Sequence, residues 1–213
     1  MIEPMESVLA ALRLSGAAED AAAARFRRRA ADEGLVDVAY SVLDSPLGPL
    51  LAAATPLGLA RLAYLAEGAV DQELQALATR LSPRVLEVPE ALDGVRRELD
   101  EYFEGSRRSF SLTVDPVLMG GFARLVLQRT AAIPYGARAT YRDLARAVDR
   151  PGAARAVGNA LGSNPVPIVI PCHRVLRTGG ALGGYTGGIE RKSHLLRLEA
   201  AGASSGGPAG RSG

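Results

Sequence analysis

One cysteine occurs in this chain of 213 residues, and a histidine follows it directly. The two residues are Cys172 and His173, and Arg174 comes next. A thiolate attacks far faster than a thiol, so a reactive cysteine needs a base or a positive charge beside it. The pattern therefore predicts a nucleophilic cysteine with His173 as its base and Arg174 as a favourable charge. A lone cysteine can also be a small buried apolar side chain, and these residues alone leave that interpretation open.

The residues before the cysteine predict how it is positioned. Residues 164–170 are mostly apolar and β-branched, prolines interrupt them, and Pro171 ends the run. Such a run is typical of a brief extended segment. We expect this segment to deliver Cys172 at its end.

The pentapeptide at residues 171–175, Pro-Cys-His-Arg-Val, resembles the active-site motif of the O6-alkylguanine-DNA alkyltransferases. Proteins of that family transfer an alkyl group from damaged guanine to their own cysteine. Further blocks resemble the family in the same order along the chain, at residues 133–136, 140–145, 153–158, 164–167, 184–188 and 195–199. The resemblance is strong over residues 116–200. It is weaker but visible at residues 45–50 and 99–105.

The resemblance implies two domains. The first is an α/β amino-terminal domain of the ribonuclease-H-like kind, and the second is a mainly α carboxy-terminal domain with a winged-helix-like helix-turn-helix. The residue pattern agrees, because it predicts a strand meander over 36–64 and helices over 70–81 and 92–103. We expect the following divisions: 1–35, a helical extension of unknown role with a helix near 19–31; 36–112, the amino-terminal domain; 116–200, the DNA-binding and alkyl-transfer domain; and 201–213, a disordered tail.

Two short helices are predicted in the second domain. Thr140 is a good N-cap for a helix over 141–148, residues 151–152 break the chain, and a second helix follows over 153–161. This is the pattern of a helix-turn-helix. The second helix carries mostly small residues, which is typical of close helix packing as well as of a helix that approaches DNA. The resemblance implies the latter, with Ala154 and Gly158 against the minor groove.

The resemblance also implies how the target base is exposed. The guanine O6 lies inside the duplex, so the nucleotide must rotate out at a cost of a few kcal/mol. Arg155 would fill the vacated stack, and Tyr141 would crowd the target phosphate and later donate a proton to the leaving guanine. The structural alternatives are that Arg155 pairs with Asp149 and that Tyr141 packs at a helix start.

For the chemistry, the resemblance implies that Glu199 orients His173, which accepts the proton of Cys172 through a water. A carboxylate on one imidazole nitrogen fixes the tautomer and leaves the other nitrogen as the base. Asn164 would brace the turn beneath them. The alternatives are that Asn164 only forms a turn before Pro165 and that Glu199 is a solvated helix residue.

The substrate base is assigned in the same way. Tyr185 would stack on the rotated base, Thr186 would hydrogen-bond near O6, and the backbone carbonyls of Cys172 and Val175 would accept from the guanine amino group. The product is S-alkylcysteine at position 172, which no second cysteine can release, so the protein would act once. The implied activity is that of a methylated-DNA–protein-cysteine S-methyltransferase. Whether O4-alkylthymine is also a substrate stays open.

Charge and composition fit a DNA partner. The net charge of +2 argues little, but residues 124–177 hold nine arginines against two aspartates. A surface that faces phosphates needs such an excess. With the resemblance, this predicts double-stranded DNA containing O6-alkylguanine as the partner.

Composition also sets limits. No apolar run approaches the ~20 residues of a membrane span, and the first residues lack the pattern of a secretory signal. A single cysteine excludes an internal disulfide and a multi-cysteine zinc site. We expect a soluble monomer of a bacterial-type cytosol and nucleoid, with no membrane contact, no cofactor and no metal.

Three other classes of protein fit the sequence less well. A non-catalytic protein that binds alkylated lesions would replace the cysteine, and Cys172 is present. A cysteine hydrolase usually takes its base from a distant segment, and no glycine pattern for an oxyanion hole precedes Cys172. A helix-turn-helix transcription regulator would need an effector or dimerisation module, and nothing in the sequence indicates one.

Overall fold

The computed structural model describes residues 21–30 and 33–204. Within them, a four-stranded sheet with helices precedes a mainly helical half. The elements in chain order are α1 (21–30), β1 (Val38–Leu43), β2 (Leu50–Thr55), β3 (Gly58–Tyr64), α2 (Val70–Arg80), β4 (Val85–Glu87), α3 (Asp93–Phe103), α4 (Gly121–Ala131), β5 (Ala139–Thr140), α5 (Tyr141–Ala147), α6 (Ala154–Gly162), β6 (Val175–Leu176) and α7 (Ile189–Ser204). Short 3-10 turns occur at Pro89–Leu92, Pro116–Leu118 and Cys172–Arg174.

The sheet has the order β3-β2-β1-β4, with β4 parallel to β1 and the other pairs antiparallel. Successive side chains of the inner strand β2 point to opposite faces of the sheet, and both faces are buried. Leu50 and Ala52 pack into the main core, whereas Leu51 and Ala53 pack on the α2 side. The predicted strand meander over 36–64 is confirmed. Strand β4 was not predicted, because it has only three residues.

One hydrophobic core joins the two halves of the chain. It contains Leu50 of β2 and Tyr102 of α3 together with Leu127 of α4, Cys172 and Leu195 of α7. A backbone hydrogen bond from the Leu62 N–H to the Pro165 carbonyl, 2.8 Å long, also crosses between the halves. Residues of the amino-terminal half therefore lie against the cysteine region.

The predicted helix pair is confirmed to within about two residues at each end. Thr140 and Asp143 form a capping box at the start of α5: the Thr140 Oγ1 accepts from the Asp143 N–H at 3.2 Å, and the Asp143 carboxylate accepts from the Thr140 N–H at 2.9 Å. After α5, Asp149 adopts a φ of 57° and the chain turns into α6. Strand β5 pairs with β6, which brings the start of α5 beside the residues that follow Cys172.

Two expectations about the backbone are wrong. Residues 164–170 do not form an extended segment but a compact loop, in which Ile168 has a φ of 72° and the Ile170 N–H donates to the Val166 carbonyl at 2.9 Å. The Asn164 side chain folds this loop by hydrogen bonds to the Val166 N–H and the Ile170 carbonyl. Residues 201–204 continue helix α7, where Arg108 donates to the Gly202 carbonyl at 2.7 Å, so they are not part of a disordered tail.

Other expectations concern the ends of the chain. The helix predicted near residues 19–31 is observed over 21–30. Residues 33–35 of the proposed extension follow this helix, and the Leu35 N–H donates to the Ala30 carbonyl at 2.9 Å. Residues 1–20 and 31–32 and the tail after residue 204 lie outside the described residues. No helix in the described part of the chain is both long enough and apolar enough to cross a membrane.

The capping box leads to a test of the helix-turn-helix. We expect Thr140→Ala to lower the free energy of unfolding by about 1 kcal/mol, because the Thr140 hydroxyl no longer accepts from the Asp143 N–H or donates to the Asp143 carboxylate. Urea denaturation of the full chain measures this. Thr79→Ala is the control, since Thr79 is exposed late in α2 and only bonds back to the Gln75 carbonyl. An equal loss in both variants would contradict the capping role.

Candidate active site

Cys172 lies at the inner end of a surface cavity. It begins the 3-10 turn Cys172–Arg174, and only 4% of its surface is exposed. The cavity has a volume of about 680 Å³, and Cys172 is one of the residues that line it. Cys172 is therefore part of the core and also of the cavity wall, so it is not simply a core apolar residue.

Burial controls the charge of the sulfur. It raises the pKa of the Cys172 thiol to about 11, although the Asn164 amide, the Lys192 ammonium and nearby backbone N–H groups act in the opposite direction. The thiol is thus protonated at neutral pH. The expectation that Arg174 supplies a favourable charge to the cysteine is wrong, because its guanidinium is bonded to Glu199.

His173 lies fully buried beside the cysteine. Its Nε2 lies 2.8 Å from the Glu199 Oε1. Burial lowers the pKa of His173, and Glu199 only partly offsets this, so the imidazole is neutral at neutral pH. Since an ionised carboxylate only accepts hydrogen bonds, Nε2 carries the proton and Nδ1 is free to accept one. Among the described residues, this Nδ1 is the buried side-chain nitrogen or oxygen without a hydrogen-bond partner.

Glu199 on α7 is buried and surrounded by donors. Arg174 donates to both carboxylate oxygens, with the shortest distance 2.8 Å, and the Gly136 N–H donates to Oε2 at 3.2 Å. The Tyr102 hydroxyl donates to Oε1 at 2.9 Å. Burial alone would raise the pKa of Glu199, but the bonds and charges of His173 and Arg174 outweigh it and lower the pKa to about 2. Glu199 is therefore an ionised buried residue and not a solvated one.

Asn164 connects the loop to the sulfur. Its Oδ1 accepts from the Val166 N–H at 3.1 Å, and its Nδ2 donates to the Ile170 carbonyl at 2.9 Å and to the Cys172 Sγ at 3.2 Å. The side chain is 1% exposed. Both sequence interpretations of Asn164, turn former and brace, are compatible with these contacts.

The cavity brings together most of the residues singled out from the sequence. Its walls include Tyr141, Ala154, Arg155, Gly158, Tyr185 and Thr186. The first four belong to α5 and α6, and the last two precede α7, so the helix-turn-helix and a loop face each other across the opening.

Several contacts fix the walls. The Tyr185 and Tyr64 hydroxyls hydrogen-bond at 2.9 Å, and the Thr186 hydroxyl donates to the Gly162 carbonyl at 3.1 Å. The Tyr141 hydroxyl lies so close to Gly183 that a Cβ there would stand 2.7 Å from it, and Gly183 also has a φ of 66°. Glycine is thus required at 183 for the loop to close over Tyr141.

Val175 is placed differently from the other predicted residues, because it does not line the cavity. Its carbonyl accepts from the Lys192 Nζ at 2.6 Å, and Lys192 also donates to the Gly184 carbonyl at 3.3 Å. Lys192 is fully buried, and burial lowers its pKa to about 8. Sequence reasoning gave this residue no role, although it is the only lysine in the chain.

The arginines of residues 124–177 do not all face the cavity. Arg142, Arg155 and Arg177 line it, whereas Arg174 is buried against Glu199. Arg155 is exposed and belongs to the cavity wall. In the described part of the chain, no cluster of three or more histidine, cysteine or carboxylate side chains could hold a metal ion.

The fold and the site together define a class of protein. A helix-turn-helix stands beside a cavity that Cys172 lines, and next to Cys172 the buried His173 Nε2 lies 2.8 Å from the Glu199 Oε1. The family models of 6-O-methylguanine DNA methyltransferase match in two parts, its ribonuclease-like domain at residues 38–116 and its DNA-binding domain at residues 121–201. The chain belongs to the 6-O-methylguanine DNA methyltransferase family.

Individual relatives support this assignment. The chain is 40% identical over 161 residues to the methylated-DNA–protein-cysteine methyltransferase of Mycobacterium bovis, which covers 75% of this chain and 91% of the relative. It is 37% identical to the protein of the same name from Methanosarcina barkeri, over 75% of this chain and 96% of the relative. The crystal structure of Mycobacterium tuberculosis OGT in complex with DNA is also similar, with a TM-score of 0.67, 38% identity and coverage of 77% of this chain and 94% of that one.

The lowered pKa of Glu199 predicts a dependence of stability on pH. A carboxyl whose pKa is about 2 in the folded chain and about 4.5 unfolded stabilises the fold above pH 4.5, and this contribution is lost as the pH falls towards 2. At about 1.4 kcal/mol per pH unit, the loss is roughly 3 kcal/mol. Urea denaturation at a series of pH values measures it.

The matched variants are Glu199→Gln and Glu190→Gln, the second in the exposed first turn of α7. We expect the stability of Glu199→Gln to fall less steeply between pH 4.5 and 2 than that of the wild type. The Glu190→Gln variant should follow the wild-type slope. Parallel slopes for all three proteins would contradict the account of Glu199.

Proposed function

We propose that this protein repairs DNA by transferring a methyl or larger alkyl group from the O6 of guanine to the sulfur of Cys172. The observation that carries the proposal is the position of that sulfur, at the inner end of a cavity walled by a helix-turn-helix and backed by His173 and Glu199. Membership of the family supports it, as does a relative of 38% identity whose structure was solved with DNA.

The transfer step follows from the charges at the site. The Cys172 thiol passes its proton, through a water, to the free Nδ1 of His173, and the carboxylate of Glu199 stabilises the imidazolium that forms. The sulfur then attacks the alkyl carbon. The new S–C bond forms as the C–O6 bond breaks, and guanine leaves with the electron pair.

A proton must then reach the leaving guanine. Tyr141 is the proposed donor, since it lines the cavity and burial raises the pKa of its hydroxyl, which keeps it protonated. The product is a thioether, which is a poor leaving group, and Cys172 is the only cysteine in the chain. Each molecule therefore acts once.

The walls of the cavity suit a base that has left the duplex. Tyr185 offers an aromatic face for stacking, and the Thr186 hydroxyl lies at the edge of the cavity. Ala154 and Gly158 make α6 thin enough to approach the minor groove, and Arg155 would occupy the place of the rotated nucleotide. The Cys172 carbonyl would accept from the guanine amino group. The carbonyl of Val175 has one lone pair left for it after the bond from Lys192.

A catalytic function is favoured over lesion binding alone. The non-catalytic alternative replaces the cysteine, whereas here Cys172 is present with Asn164 and His173 arranged around it. We further propose that the chain acts as a monomer, because one chain supplies every residue of the proposed site. Its place of action would be a bacterial-type cytosol, at the nucleoid, where its DNA substrate lies.

The assignment of the nucleophile is tested with Cys172→Ala. Incubation of the wild type with a duplex containing O6-methylguanine should add about 14 Da to the peptide that contains Cys172, as measured by mass spectrometry. The variant should gain no mass and still bind the duplex in a mobility-shift assay. Loss of binding together with transfer would contradict the separation of chemistry from DNA binding, and an unmodified wild type would refute the function.

The role of Arg155 is tested by comparing two substrates. We expect Arg155→Ala to slow repair of the duplex by about 10-fold or more, because rotation of the nucleotide is no longer assisted. Transfer from free O6-benzylguanine should stay within about twofold, since that substrate needs no rotation. Arg129→Ala is the control, as Arg129 is exposed on α4 outside the cavity. Equal slowing on both substrates would exclude this role.

A further inference from the structure

A tyrosine of the amino-terminal half hydrogen-bonds to Glu199, the carboxylate beside the proposed general base His173. Tyr102 lies on α3, which is separated from Glu199 by 97 positions in the chain, and its hydroxyl donates to the Glu199 Oε1 at 2.9 Å. The same Oε1 accepts from His173 at 2.8 Å. The side chain of Tyr102 is fully buried, so no water competes for this hydroxyl from outside.

The direction of this hydroxyl is fixed by aromatic packing. The ring of Tyr102 contacts Phe103, Phe110 and Tyr135, with ring centroids 5.5, 5.3 and 6.1 Å away. Burial raises the pKa of Tyr102 well above its ordinary value, so the hydroxyl is a donor at every working pH. The linker that carries Phe110 is itself held, because the Glu98 carboxylate on α3 accepts from the Ser111 N–H at 2.7 Å.

We propose that Tyr102 is a positioning residue for alkyl transfer: it holds Glu199 Oε1 against His173 and thereby makes the amino-terminal domain part of the proton-accepting apparatus. This inference rests on the proposed function of the cavity. No sequence block assigned a role to Tyr102, although residues 99–105 belong to the weaker part of the family resemblance.

The physical reason is a competition for one carboxylate. Arg174 donates to both oxygens of Glu199 and pulls the carboxylate towards itself. The Tyr102 hydroxyl donates to Oε1 from the other domain and limits rotation of the carboxylate towards Arg174. As a neutral donor it also withdraws negative charge from the oxygen that faces His173, which makes the imidazolium less stable. Without Tyr102, the histidine should be less well oriented and more readily protonated.

Other groups face His173 and Glu199, and they remain when the hydroxyl of Tyr102 is removed. They are Arg174 and Arg138, Tyr135, Tyr185, Cys172 and, across Cys172, Lys192. None of them donates to Oε1 from the amino-terminal domain. A change in the pH dependence after removal of this one hydroxyl is therefore assigned to Tyr102.

The experiment is Tyr102→Phe, which keeps the ring and its packing. The rate of benzyl transfer from free O6-benzylguanine to Cys172 is measured by mass spectrometry from about pH 5 to 9, so that DNA binding does not enter. We expect the rate at neutral pH to fall about 10-fold, because the histidine is less well oriented. We also expect the rising limb of the profile to move to higher pH by about 0.5 unit. A purely structural role would leave the midpoint of that limb unchanged.

Two comparison variants make the result specific. Tyr64→Phe removes the other tyrosine hydroxyl that joins the domains, which bonds to Tyr185 and not to Glu199. The rising limb of its pH–rate profile should keep the wild-type midpoint, even if its affinity for the substrate changes. Tyr40→Phe, on β1 away from the cavity, should match the wild type throughout. A shift of equal size in Tyr64→Phe would overturn the proposal.

A second substitution covers the case in which Tyr102→Phe does not fold. Tyr102→3-fluorotyrosine keeps the hydroxyl but makes it a stronger donor, so the limb should move to lower pH. The outcomes separate the two proposals. No transfer by the wild type would refute the proposed function, whereas normal wild-type transfer with an unmoved limb in the foldable variant would refute only the role of Tyr102.

Discussion

The buried carboxylate of Glu199 is the constraint on which the arrangement of this protein depends. A charge removed from water is unfavourable unless several donors surround it. Here the donors come from the turn after Pro171, from the loop at Gly136 and from α3 of the other domain. Each of these segments must therefore be in place before the carboxylate can be buried. The position of α7, which carries Glu199, is fixed by the same requirement.

The charges around this carboxylate keep the site at rest until a substrate arrives. The thiol of Cys172 is protonated because burial raises its pKa, and His173 is neutral because burial lowers its own. Of Cys172, His173 and Glu199, only Glu199 is ionised, and Arg174 compensates its charge. In the proposed reaction, the proton has only a short path from the thiol to His173 when an alkyl carbon is presented to the sulfur. A reactive thiolate exposed at all times would be open to oxidation and to side reactions.

Much of this could be predicted from the sequence, and the reasons differ between elements. The helix pair was predictable because its signals are local. Thr140 and Asp143 lie three residues apart at the start of α5, and Pro151 and Gly152 break the chain between α5 and α6. The adjacency of Cys172 and His173 was equally visible. Glu199 could be named only through the family resemblance, since nothing near it in the sequence indicates burial.

The features that sequence reasoning missed depend on distant contacts. Tyr102 meets Glu199 across 97 positions, and Lys192 bonds the carbonyls of Val175 and Gly184 from a helix that reads as an ordinary surface helix. The β-branched residues of 164–170 predict an extended segment because they favour strands, whereas the Asn164 side chain folds these residues into a turn. Side-chain hydrogen bonds of this kind override local propensity.

The continuous core has a consequence for dissecting this protein. The boundary between the two matched regions, near residue 116, is an obvious place to truncate the chain. The hydrophobic core nevertheless continues across it. A carboxy-terminal fragment would leave behind Tyr102 and the strand that bonds Pro165, and it would expose apolar side chains and an incompletely compensated anion. The two regions share one core, so neither can be exchanged for the corresponding region of another protein without redesign of the surface where they meet.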